Sequence, residues 1–214
     1  MIGSMELKSV KLFITALFFV FNADAAMLSP VSYDMFNGSS GNYNYWDDSY
    51  NGNGNNLHDA AYLSGGVGDL TDGVIATQSW NNAELETASG PYVGWTNYDP
   101  TINFRFNSRI NFNTITIYAD DFDGYEGVSQ PTSVSVNGMS FLVADHAGAN
   151  PFAISLTNLA FSASDLDITI HRGNSWVFVS EVSFDGVTAV PVPAAAWLFL
   201  SGLLSLFGYA RFKQ

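Results

Sequence analysis

The second half of the chain alternates between apolar and polar residues with a period of two. Residues 101–106 (TINFRF) place Ile102, Phe104 and Phe106 on one face and Thr101, Asn103 and Arg105 on the other. Residues 114–118 (TITIY) turn Ile115 and Ile117 inward, and residues 165–171 (DLDITIH) do the same with Leu166, Ile168 and Ile170. Shorter runs follow the same rule at 133–136, 141–143 and 152–156, and 176–184 (WVFVSEVSF) is the longest. Turn formers (Asn107-Ser108, Asn137-Gly138, Arg172-Gly173-Asn174) separate several of these runs. Alternation of β-branched and aromatic residues between turn signals predicts an all-β fold, an antiparallel jelly-roll β-sandwich. No stretch of this body carries a sustained helical period.

The two chain ends follow another pattern. Residues 12–21 (LFITALFFVF) form an apolar run of ten behind Lys8 and Lys11, and Ala23-Asp24-Ala25 offers small residues at the right spacing for signal peptidase. That order predicts a signal peptide over 1–25, cut before Ala26. At the other end, residues 194–210 contain no charge, and Arg211 and Lys213 follow them. Seventeen residues make a helix of about 25 Å, just enough for a bilayer core. The predicted order is a linker over 188–193, a transmembrane helix over 194–210 and a basic cytoplasmic tail over 211–214, with the body outside. A plain tail anchor without processing is the alternative.

Composition sharpens this picture. At 214 residues the chain suits one domain with appendages, and with 47% hydrophobic and only 13% charged residues it is not a charge-rich disordered chain. There is no Cys, which excludes a disulfide scaffold, a thiolate metal site and a cysteine nucleophile. Between residues 27 and 189 only Arg105, Arg109 and Arg172 oppose eighteen acidic residues, a net of −15. A body of that sign excludes nucleic acid as a partner. Residues 37–56 are rich in Asn, Gly, Ser and Tyr and read as loop. Residues 26–59 are therefore expected to be an N-terminal extension carrying at most a first strand. Tyr43, Tyr45, Trp46 and Tyr50 within it either stack on a ligand or pin the loop to the body. Asn37-Gly38-Ser39 is formally a glycosylation sequon.

Two resemblances add to these readings. VPVPAAAWLFLSGLLSLFGYARFK resembles a PEP-CTERM sorting signal, with its Pro-x-Pro motif (Pro191, Val192, Pro193), short apolar helix and basic stop (Arg211, Lys213). Val192 stands where that motif usually has Glu, as in Val-Pro-x-Pro-Ala variants. The resemblance implies an exosortase-type processing protease as a partner. It also implies passage through an inner-membrane intermediate to the cell surface or an exopolysaccharide-rich biofilm matrix. Separately, Leu70-Thr71-Asp72-Gly73, Gln78-Ser79-Trp80, TINFRFN, NTITIYADD and WVFVSEVSFDG follow one another as in discoidin or coagulation-factor C-type domains. This resemblance covers about 60–187, the expected extent of the sandwich, and implies a galactose-binding-like fold. The disulfide of the animal members has no counterpart here.

The chemistry is limited. His58, His146 and His171 show no metal-ligand spacing, and no nucleophile elbow or phosphate-cradling loop is present. Non-catalytic binding is the expectation, because a small sandwich of this kind is more often a binding module. The discoidin resemblance implies one structural Ca²⁺ held by Asp72 and Glu181, with Asp69 or Thr77 as additions. Alternatively, Asp72 only caps its own turn and Glu181 faces solvent or an arginine. The acidic loop from Asp120 to Glu126 is not an EF-hand, since Ala119 and Gln130 would fall at its first and last ligand positions. Two aromatic–polar groups have the character of a sugar site: Trp95, Tyr98 and Asp99 in one loop, and Phe122 and Tyr125 in another. The expected function is an exported, surface-sorted module that binds carbohydrate or exopolysaccharide. The alternatives are a structural matrix or adhesion protein and a glycan-cleaving enzyme.

Overall fold

The long alternating tract becomes one strand. In a computed structural model, which describes residues 26–84, 90–159, 161–189 and 201–202, β5 runs over Thr101–Asp120 without interruption. The turn expected at Asn107-Ser108 is a register break instead, between Arg105 and Ile110 on the β9 side. The apolar phase resumes after the break with Ile110 and Phe112, both buried, so the strand has a core to continue along. A local turn preference yields to tertiary packing here.

Ten strands form one hydrogen-bonded sheet, and all their pairings are antiparallel. They are β1 (Ala26–Leu28), β2 (Ser32–Phe36), β3 (Tyr62–Gly66), β4 (Val93–Thr96), β5, β6 (Ser133–Val136), β7 (Met139–Leu142), β8 (Pro151–Thr157), β9 (Ser162–His171) and β10 (Trp176–Thr188). The central path is β1-β10-β5-β9-β6-β7. The first part of β5 pairs with β2 and β9, and its last part with β8 and β10. Side chains of these two arms of the sheet pack against each other. Phe104 on the first arm meets Phe184 on β10 at 5.0 Å between ring centres, and Phe106 meets it at 5.1 Å. The sandwich thus closes on Ile102, Phe104 and Phe106 from one side and Ile115, Ile117, Val182 and Phe184 from the other, all buried as the alternation requires.

The β6–β7 hairpin shows local chemistry at its clearest. Val136 pairs with Met139, which leaves Asn137-Gly138 as a two-residue loop. Both residues have positive φ, 47° and 80°. Such a primed turn matches the strand twist, and Asn-Gly is its favoured sequence.

Residues 26–59 are not an appendage. β1 pairs with β10, and β2 pairs with both β3 and β5. The polar stretch 37–56 is held by hydrogen bonds instead of apolar area. Asn37 is fully buried: its amide donates to the carbonyls of Asn56 (2.9 Å) and His58 (3.3 Å) and accepts from Gly38 and Asp47 (both 2.8 Å). Its side-chain nitrogen is thus sealed against glycosylation in the folded domain. Asp47, also fully buried, accepts from the Tyr33 hydroxyl and from the Asp69 N–H at 2.9 Å. A buried acceptor with such partners is satisfied, and without them it would oppose folding.

A second aromatic core lies beside the first. Tyr45, Trp80, Tyr92 and Phe178 are buried together, with Tyr43, Phe122 and Trp176 packed around them. Tyr45 meets Phe178 edge-on at 4.6 Å, while the Trp80 and Phe178 rings are stacked within 6°. Gly94 makes this approach possible: a Cβ there would lie 2.3 Å from the Phe178 ring. Of Tyr43, Tyr45, Trp46 and Tyr50, it is Tyr45 and Tyr50 that pin the loop to the body.

The signal peptide expected over 1–25 lies outside the described residues, as do Pro191, Val192, Pro193, Arg211 and Lys213. Of the stretch 194–210 only residues 201–202 are described, and they are helical. Among the described residues, no helix is long and apolar enough to cross a membrane.

Candidate functional site

The outer face of β2, β3 and β5 carries a cleft of about 700 Å³. Its shape follows from alternation. In β2, Tyr33 and Met35 enter the core, so Phe36 faces out; in β3, Leu63 faces in, so Tyr62 faces out. The register places Phe36 directly opposite Tyr62. The two rings meet at 5.5 Å and 62°, and each side chain is 55% exposed. A cross-strand aromatic pair on a solvent face presents apolar ring surface, here with the two rings edge to face.

Polar side chains border that surface. Thr101, Asn103 and Arg105 stand on the outward phase of β5, and Asp34, Tyr98 and Asp99 complete the wall. Half-exposed Arg105 pairs with the buried carboxylate of Asp34, which also accepts the Gly65 N–H at 2.9 Å. Asn103 donates to Asp167 at 2.7 Å. Tyr98 donates to the Asn37 carbonyl at 2.9 Å, and burial raises its hydroxyl to about 12. Asp99 accepts from the Arg172 backbone N–H (3.2 Å) and from its guanidinium (3.1 Å), and meets His171 at 3.1 Å. Partial burial would raise the Asp99 carboxyl, but these hydrogen bonds outweigh it and hold the group below its ordinary range. The cleft therefore joins an apolar floor to a rim of fixed donors and acceptors, the arrangement of a small-molecule site.

Of the first predicted aromatic group, Tyr98 and Asp99 line this cleft and Trp95 does not. Trp95 is fully buried on β4, and its indole N–H donates to the Phe36 carbonyl at 3.0 Å. The stretch 93–96 is a strand paired with β10, so its alternate residues point inward. Sequence reasoning missed Phe36 and Tyr62, which lie in short strands flanking the polar tract. The signal for Thr101, Asn103 and Arg105 was available: they are the outward face of the most regular alternation in the chain.

The second predicted group, Phe122 and Tyr125, lies elsewhere. Their rings meet edge-on at 5.3 Å, Phe122 leans on Trp80 at 6.2 Å, and Tyr125 is mostly exposed.

Of the four residues proposed for calcium, two share a cleft. Asp72 and Glu181 both line a pocket of about 200 Å³ beside β1. Asp72 accepts the Val74 N–H at 2.8 Å, capping its own turn, and Glu181 accepts the Gly73 N–H at 3.0 Å. Glu181 neither faces solvent nor pairs with an arginine; it is buried. Burial first, and the Asp72 charge after it, raise its carboxyl to about 7. Asp69 belongs to another group: it bonds Ser49, and burial with the nearby Asp47 charge raises it to about 7. Thr77 does not line the Asp72–Glu181 cleft. Among the described residues no three His, Cys, Asp or Glu side chains converge as a metal set. A cation here would have two carboxylates and would draw its other ligands from carbonyls and water, as Ca²⁺ tolerates.

Against this geometry the comparisons are informative about family and fold. Among curated proteins, none matches the chain. Among solved structures, truncated AlyQ with CBM32 and alginate lyase domains is similar at 12% identity and a TM-score of 0.40, over 80% of this chain and 36% of that one. The family 32 CBM from C. perfringens NanJ in complex with galactose is similar at 13% identity and a TM-score of 0.31, over 53% of this chain and 89% of that one. The chain thus spans about a third of the AlyQ chain, and neither likeness is close enough to bear on what this chain binds. The sequence match is broader. The family described as discoidin domain-containing receptor 1/2, DS-like domain, matches residues 29–186, which takes in nearly all of the strands above. The chain belongs to this discoidin-type DS-like domain family.

Proposed function

We propose that this chain is an exported, non-catalytic module that binds glycan in the cleft under Phe36 and Tyr62. One observation carries the reading: two large aromatic side chains, paired by strand register, are presented to solvent beside Thr101, Asn103, Arg105 and Asp99. Sugars offer apolar ring faces and a girdle of hydroxyls, and this surface supplies the complement to each. Exposed aromatic pairs gain nothing from core burial, so their placement is best explained by a ligand. Membership of a discoidin-type family agrees with binding in preference to turnover.

A glycan array and an exopolysaccharide pull-down with the mature protein test this. Binding that falls at least about tenfold in Tyr62→Ala and Phe36→Ala is expected. Uniform absence of binding, or binding indifferent to both substitutions, overturns it.

Export rests on the sequence of both ends. Signal peptidase would release Ala26 as the new N-terminus. An exosortase-type protease would process the tail from an inner-membrane intermediate, delivering the body to the cell surface or matrix. Mass spectrometry of the secreted product reads both cuts, and an intact product inside the cell overturns this part.

Calcium is a second reading, favoured by Asp72 and Glu181 sharing one cleft with no cation among its lining residues. When bound, Ca²⁺ would neutralise that pair and tie the turn after Leu70 to β10. Thermal melts in Ca²⁺ and in chelator decide it, since a ligand bound only by the folded state raises the midpoint. Coincident melts overturn it.

A further inference from the structure

A second pocket, lined from the 37–56 stretch, the segment after β5 and the start of β10, is built differently from the cleft. It encloses about 310 Å³. Its inner wall is aromatic: Tyr45, Trp80, Trp176 and Phe178. The Trp80 and Trp176 rings both lie nearly parallel to Phe178, at 6° and 13°, and Tyr45 stands edge-on to all three. Its lip carries one ionisable group, Glu126, and one amide, Asn42. The Asn42 amide donates to the Glu126 carboxylate at 2.9 Å and so bridges two loops that are 84 residues apart in sequence.

Three features of Glu126 call for an explanation. First, no Lys, Arg or His pairs with it among the described residues, although Asp34, Asp99 and Asp165 each have a basic neighbour. Second, it holds a left-handed backbone, φ 51° and ψ 24°, between Gly124 and Gly127, which are also at positive φ. A non-glycine residue is rarely found there, and such residues gather at ligand-binding sites. Third, among the described residues the side-chain donor it meets is a neutral N–H, where a positively charged donor would bind it more strongly.

We propose that this pocket is a separate site for a protonated amino sugar, the ammonium group meeting Glu126 and the ring resting on Trp176, the one ring of the wall that is only partly buried. The chemistry is complementary at each point. A carboxylate at the lip attracts a cation, and aromatic rings attract it further through their quadrupoles. The body's net −15 concentrates cations around it and repels acidic sugars. The volume suits one sugar ring, at the small end of pockets that take small molecules. On binding, the ammonium takes the place of the Asn42 amide at Glu126. The site shares no lining residue with the Phe36–Tyr62 cleft, so it stands or falls independently of that reading.

The test is a titration of the full chain with glucosamine, glucose and N-acetylglucosamine, at matched ionic strength and at a pH where the amine is protonated. Tryptophan emission reports binding, since Trp80 and Trp176 line the pocket. Glucosamine is expected to bind at least about tenfold more tightly than either neutral sugar, with that preference abolished in Glu126→Gln and unchanged in Tyr62→Ala. Glu126 is exposed, so the substitution leaves the fold intact. Equal affinity for the three sugars, an unchanged preference in Glu126→Gln, or no response to glucosamine overturns the proposal. Tetramethylammonium separates charge from sugar: weaker binding than glucosamine supports a contribution from the ring, and equal binding overturns the sugar assignment.

Discussion

Phe36 and Tyr62 differ from Tyr45 and Phe178 in fate but not in kind. All four are aromatic residues close to glycine-rich or polar sequence. The first two stand on the outer face of a two-strand ladder and remain half exposed, while the other two are buried in a cluster with Trp80. Backbone placement decides between them. Phe36 and Tyr62 each follow or precede a core residue, so alternation turns them outward. Tyr45 is carried inward because Gly38 and Gly94 let its backbone approach: a Cβ on Gly38 would lie 1.8 Å from the Tyr45 carbonyl oxygen. Burial explains the second pair, whereas the first leaves two large rings half exposed.

That contrast can be broken at several points. The largest effect is expected from the packed side. Phe178→Ala removes the ring on which Tyr45, Trp80 and Trp176 converge and should cost about 3–5 kcal/mol, read as a lower denaturant midpoint. A loss under about 1 kcal/mol would mean that the cluster relaxes freely and is not a core.

The next effect concerns buried acids. Burial raises Asp47 to about 6, Asp69 to about 7 and Glu84 to about 8. Each is protonated in the folded chain at a pH where the unfolded chain has already lost that proton. The folded state therefore binds more protons between about pH 4 and pH 8, and stability falls as pH rises through that window. The slope is up to about 1.4 kcal/mol per pH unit for each such proton. Denaturant midpoints at pH 5 and pH 8 check the sign; a higher midpoint at pH 8 contradicts it. If Ca²⁺ binds Asp72 and Glu181, its addition flattens the part of the slope due to Glu181, because the metal favours the ionised form.

The smallest effect on stability is expected from the open side. Phe36→Ala and Tyr62→Ala each remove half of a solvent-exposed cross-strand pair, worth about 0.2–1 kcal/mol. Normal melts alongside lost glycan binding would separate function from folding. A loss of several kcal/mol would make the pair structural and dissolve the contrast.

How far the sequence reveals all this depends on the range of the interactions. Leu166, Ile168 and Ile170 are buried as their spacing predicts, and Asn137-Gly138 makes the turn that its residues favour. Both are local. The stretch 37–56 looked unable to join a core because it has little aliphatic area. It joins through buried polar groups, Asn37 to Asp47 and Asp47 to Tyr33, whose partners lie 10 and 14 residues away. Composition does not encode such pairings. The candidate site was half legible for the same reason. Tyr98 and Asp99 announced themselves by residue type, while the Phe36–Tyr62 pair depends on a register that only the folded sheet creates.

The two ends of the body leave it side by side. Ala26 pairs with Gly186, and Thr188 pairs with Ile110. Phe104 on the first arm of β5 meets Phe184, which pairs with Leu28 two residues after Ala26. A pull on either end of the body therefore loads β10 first, the strand that both ends share.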